Sequence, residues 1–162
     1  MLATSHIAAT TLVLIGAKSA GIELNVPIVV ASYALGVGID IDHVVFYGKD
    51  SIGRLIEYKK DRHNFKLGEK NLHSYLQEPV ALFAVIILSL ATYVVTKNIA
   101  VFVPAICLAA HVVMDMIMDF DSYIFWPISK KAFRGPYKQN VFVEAIIGTL
   151  LSVFFILIFF RS

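Results

Sequence analysis

The chain has 162 residues, enough for one domain, with 58% hydrophobic and 16% charged residues and a mean hydropathy of +0.75. Soluble domains are nearer half apolar and a quarter charged, so this balance points to a membrane protein. The net charge of +2 gives no reason to expect a nucleic-acid partner. The single cysteine, Cys107, excludes an internal disulfide framework and a thiolate zinc cluster.

Five apolar stretches follow in order. The first, Ile7 to Ala20, is entered through Ser5 and His6. It lacks a preceding Lys or Arg and carries Lys18 where a cleavage site would need small residues, so it reads as a helix rather than a cleaved leader. The second, Val26 to Val45, opens with Pro27, a natural early helix position, and is interrupted by Gly36, Gly38, Asp40, Asp42 and His43. Asp40 and Asp42 are two apart and diverge on an unbroken helix, so both face one centre only where the helix unwinds. Gly36 and Gly38 favour such unwinding. Pro79 to Thr96 is the third stretch, ended by a tight turn at Lys97-Asn98. Ile99 to Met118 is the fourth, and Val141 to Phe160 the fifth.

All but the shorter first stretch approach the ~20 residues that span a bilayer. The expectation is an all-α, polytopic membrane helix bundle of about five transmembrane helices. Residues 1–162 would form one membrane-embedded domain, with a polar loop at 48–72 and an aromatic and basic loop at 119–140. Eleven of the fourteen Lys and Arg residues lie in those two loops. Cytoplasmic loops are enriched in Lys and Arg, so both loops and the N-terminus are expected in the cytoplasm.

That topology gathers the unusual polar residues at one level. His6 opens the first helix, and Asp40, Asp42 and His43 close the second. His73 and Glu78 lead into the third, His111, Asp115 and Asp119 end the fourth, and Glu144 begins the fifth. His111, Asp115 and Asp119 are spaced by four and share one helical stripe. Charges inside apolar helices are costly unless paired or bound to a metal. Imidazole and carboxylate groups from several helices are how bundles build metal sites. The mixture suits zinc first, with manganese or iron as alternatives. A metal with an open position would activate water, and a carboxylate beside it would serve as general base.

The ordered set Ser5-His6, Gly38-Ile39-Asp40-Ile41-Asp42-His43, His73-Ser74 and His111 to Asp115 resembles the YdjM family. This is the LexA-binding, inner-membrane-associated, membrane-bound metal-dependent hydrolase family. Trp126-Pro127-Ile128-Ser129 resembles the Trp-Pro-Phe-Ser that follows the family's last motif. The resemblance runs over roughly residues 4 to 130. Two departures stand out: Ile39 replaces the usual proline, and Gly68-Glu69-Lys70 stands where the family often has His-Arg-Gly.

The resemblance implies a hydrolase in the inner membrane. His6, Asp42, His73, His111 and Asp115 are expected to converge on one common metal ion, with Asp40 as catalytic base or further ligand. His43, Glu78, Asp119 and Glu144 are expected to support that shell. Lipid or phosphoester substrates follow from the location and the basic rim. The residues also leave open an ion- or proton-coupled transporter, and a scaffold whose metal or His–Asp network only joins helices. They do not fix the oligomeric state.

Overall fold

The computed structural model describes residues 3–40, 79–118, 121–122, 129, 131, 133–138 and 140–161. The fold is all-α. Among the described residues the helices are α1 (Ala3–Ser19), α2 (Val26–Gly36), α3 (Pro79–Thr96), α4 (Val103–Ile117) and α5 (Val141–Arg161). Single 3-10 turns follow α2 at Gly38–Asp40 and precede α4 at Ile99–Phe102. Two stretches, Ile99–Ile117 and Phe142–Arg161, are long and apolar enough to cross a membrane. Among the described residues, two of the about five expected spans thus pass this test.

Local chemistry explains the helix limits. The Asn25 side chain accepts a hydrogen bond from the Ile28 amide at 3.0 Å, and Pro27 occupies the first turn of α2. A side-chain acceptor at this position satisfies one of the amides that a helix start leaves bare. Lys97 turns the chain out of α3 with a left-handed φ of 56°. Asn98 then accepts from the Ala100 amide at 2.9 Å and starts the next element. Helix α2 stops at Gly36, nine residues before the apolar run ends at Val45, because the backbone turns at Val37 into the 3-10 turn carrying Asp40.

The helices pack α1 on α5, α2 on α4, α1 on both α2 and α4, and α3 on α4. Ser5 meets Glu144 in the first turn of α5 and Thr4 meets Ser152 at its middle, while Lys18 reaches the Phe159 carbonyl at 3.5 Å near its end, so α1 and α5 run parallel. Thr10 lies beside Gly36 and Cys107, and Leu14 beside Ile28 and Val103, so α2 and α4 run opposite to α1. The start of α1, the ends of α2 and α4 and the start of α5 thus share one end of the bundle.

Polar groups share the interior with an apolar core, and many large apolar residues face outward. His6, Thr10, Thr11, Ser32, His111, Glu144 and Ser152 are buried, whereas Phe83, Leu88, Val95, Phe142, Leu150 and Phe160 are exposed. Such an inversion suits a surround of hydrocarbon, where small and hydroxylated residues let helices approach closely. The hydroxyls do not compete for water here: Thr11 donates to the Ile7 carbonyl at 2.7 Å, and Ser32 to the Ile28 carbonyl at 2.8 Å. Thr11 and the Tyr33 hydroxyl, 2.8 Å apart, link α1 to α2.

The stretch 119–140 is more than a connection. Strands β1 (Asp121–Ser122) and β2 (Phe133–Arg134) pair antiparallel. The Gly135 and Tyr137 amides then donate to the Met118 and Ile117 carbonyls, each at 2.9 Å. These bonds satisfy carbonyls that a helix end leaves without intrahelical partners.

Gly36 sets the distance between α1, α2 and α4. A Cβ there would collide with Thr10 and stand 3.2 Å from the Cβ of Cys107. Gly16, on the same bundle, has open space. Gly36→Ala should therefore destabilise the protein by about 1–3 kcal/mol, as overpacking does. Gly16→Ala should be neutral or stabilising by up to ~1 kcal/mol through its helix preference. Thermal unfolding in detergent reads both, and equal melting temperatures for the two variants would contradict this packing.

Candidate metal centre

Three elements deliver the site. His6 comes from the second turn of α1, Asp40 from the 3-10 turn after α2, and His111 and Asp115 from the last two turns of α4. One ligand atom from each of these four residues lies within 4.8 Å of every other, a grouping able to hold a metal ion. His6 Nε2 stands 3.4 Å from Asp115 Oδ1 and 4.0 Å from Asp40 Oδ2. His111 Nε2 stands 3.1 Å from Asp115 Oδ2 and 3.4 Å from Asp40 Oδ1. Both imidazoles are fully buried, while the Asp115 side chain is 13% and the Asp40 side chain 29% exposed. Asp40 is thus the more exposed of the two carboxylates.

The end of α2 fixes the His111 ring. A helix leaves its last carbonyls without intrahelical partners, and the Gly36 carbonyl is 3.0 Å from His111 Nδ1. A carbonyl only accepts, so Nδ1 carries the proton of the neutral ring. His111 Nε2 then presents a lone pair to the two carboxylates. Among the described residues, His111 Nε2 and both ring nitrogens of His6 find no hydrogen-bond partner. The 3.1 Å approach to Asp115 is an ion-pair distance. Buried imidazole nitrogens facing carboxylates are satisfied either by protonation of the ring or by a cation held between them. The residues present thus fit a divalent metal, and the donor set of two nitrogens and two carboxylates suits zinc, manganese or iron.

Of the residues expected at the centre, His6, Asp40, His111 and Asp115 come together. Asp42, His43, His73, Glu78 and Asp119 lie outside the described residues. Glu144 is buried next to the cluster rather than within the four-residue group, and it accepts a hydrogen bond from Ser5 Oγ at 2.9 Å. That bond ties the start of α5 to the residue before His6. The sequence reading passes over two contributors. Gly36 is noted there for its flexibility, yet its carbonyl orients His111. Ser5 is noted as part of a motif, yet its hydroxyl holds Glu144. The free carbonyl is foreseeable from a glycine at a helix end, whereas the Ser5–Glu144 pair is not, being 139 residues apart.

The tautomer is open to measurement. Nitrogen-15 chemical shifts of labelled histidines should show His111 protonated at Nδ1 and bare at Nε2. A His111 protonated at Nε2 alone would contradict the geometry.

Comparison with curated proteins and with solved structures finds no match. The sequence profile described as "YdjM inner membrane protein" matches residues 1–161. That match takes in essentially the whole chain, including all four residues of the cluster, and the protein belongs to the YdjM inner membrane protein family.

Proposed function

We propose that the protein is a multi-pass, metal-dependent hydrolase of the inner membrane, with about five spans and its metal pocket at the cytoplasmic interface. The observation that carries this reading is the arrangement of the His6 and His111 Nε2 atoms. Both are buried, neither has a hydrogen-bond partner among the described residues, and both stand 3.4 Å from a carboxylate oxygen of Asp115 or Asp40. The pocket lies at the end of the bundle where the chain enters and leaves its two basic loops, and this supports a cytoplasmic placement.

In this reading His6, Asp40, His111 and Asp115 are the metal-holding groups, zinc foremost, with Asp42 and His73 proposed to complete the set. A divalent metal here supplies Lewis acidity and makes a nucleophile available at neutral pH. The Gly36 carbonyl accepts from His111 Nδ1–H, so in the neutral ring Nε2 carries the lone pair. Asp40 belongs with the metal-holding groups, because its Oδ1 stands as near His111 as Asp115 stands to His6. Its exposure also makes it the carboxylate that an incoming ester meets first. The buried helix faces keep bulk water from the imidazoles, and the apolar exterior keeps the pocket at the lipid surface, where lipid or phosphoester substrates would arrive.

Protein purified without a chelator or a nickel column should carry a divalent metal, measurable by plasma mass spectrometry. Asp115→Asn and His111→Ala should lose that metal. They should also lose roughly 10²-fold or more of their rate on a panel of phospholipids and phosphoesters, the scale typical of disabled catalytic machinery. Thr96→Ala, at the far end of α3, should keep both. A wild-type protein without metal, or full turnover in Asp115→Asn, would refute the proposal.

A further inference from the structure

The two imidazoles do not converge as ligands of a single ion should. Their rings stack, with centroids 3.9 Å apart and planes inclined by only 19°. An imidazole nitrogen binds a metal through a lone pair lying in its ring plane, at about 2.0–2.1 Å. Planes so spaced and so slightly inclined meet on the order of 10 Å away, far beyond that reach. One ion cannot lie in both planes.

The carboxylates repeat the same division. Asp115 turns Oδ1 toward His6 and Oδ2 toward His111. Asp40 turns Oδ2 toward His6 and Oδ1 toward His111. Both Nε2 atoms approach the same carboxylate, so the stacked rings present their Nε2 edges on the same side. Each carboxylate thus spans two positions, one ahead of each imidazole. The ring spacing of 3.9 Å matches the ≈ 3.5–4 Å that separates the ions of two-metal hydrolytic sites.

We infer that the pocket holds two divalent cations, one on His6 and one on His111, bridged by the carboxylates of Asp40 and Asp115. The inference rests on the metal-dependent reading above and replaces the single common ion expected from the sequence. Two divalent ions outweigh two carboxylates by two positive charges, so the pair would draw an anionic group to the exposed side of Asp40. This favours phosphoesters over neutral esters.

Manganese provides the test, because isolated and coupled Mn²⁺ ions give different electron paramagnetic resonance spectra. Full-length wild-type protein in detergent, loaded with Mn²⁺ and freed of excess, should bind two ions per chain. Its spectrum should be the exchange-coupled multiline pattern. His6→Ala should retain one ion and show the six-line pattern of isolated Mn²⁺. If that variant does not fold, the wild-type stoichiometry and spectrum decide the matter alone. One ion per chain, or two uncoupled ions, overturns the two-cation site while leaving a metal-dependent hydrolase in place. No bound ion overturns both.

Discussion

Two buried imidazole lone pairs face two carboxylates, and the rest of the structure is arranged to keep them there. Each of the four groups would be costly in an apolar helix by itself. Together they form a group able to hold a metal ion. Helix α4 carries His111 and Asp115 one turn apart, α1 brings His6 against them, and the turn after α2 swings Asp40 into place. The Gly36 carbonyl fixes the His111 tautomer at 3.0 Å. The same glycine lets Thr10 and Cys107 approach closely enough for α1, α2 and α4 to meet.

The packing around the cluster has the character of a membrane interior. Hydroxyls that would seek water in a soluble protein donate to carbonyls of their own helices, as Thr11, Ser32 and Ser152 do. The large apolar residues of α3 and α5 turn outward. Glu144 is the exception in α5. It is buried near the start of that helix and anchored by Ser5, so the helix with the most lipid-like exterior is tied to the residue beside His6. A disturbance in how α5 seats would therefore reach His6 through the first turns of α1.

Much of this was legible in the sequence, and the rest was not for identifiable reasons. The limits of α3 follow from Pro79 and from the Lys97-Asn98 turn, and the His111–Asp115 pair follows from helical spacing. The end of α2 is less legible. The apolar run continues to Val45, and hydropathy does not mark where a glycine beside close neighbours ends the helix. That His6 reaches Asp115 is a tertiary fact, as these residues share no local pattern. The stacking of His6 on His111 is beyond any motif, since ring orientation depends on three helices and one backbone carbonyl. The folding of 133–138 back onto the end of α4 is equally hidden, because its bonds are made by backbone amides.

The central claim is that nitrogen and oxygen donors of His6, Asp40, His111 and Asp115 bind metal in this bundle. X-ray absorption at the metal edge of the purified protein tests it most directly. The account predicts a first shell of nitrogen and oxygen alone at about 2.0–2.2 Å, with the outer-shell scattering of imidazole. A sulfur shell near 2.3 Å, which would place the metal on Cys107, or a shell without imidazole scattering, would contradict it.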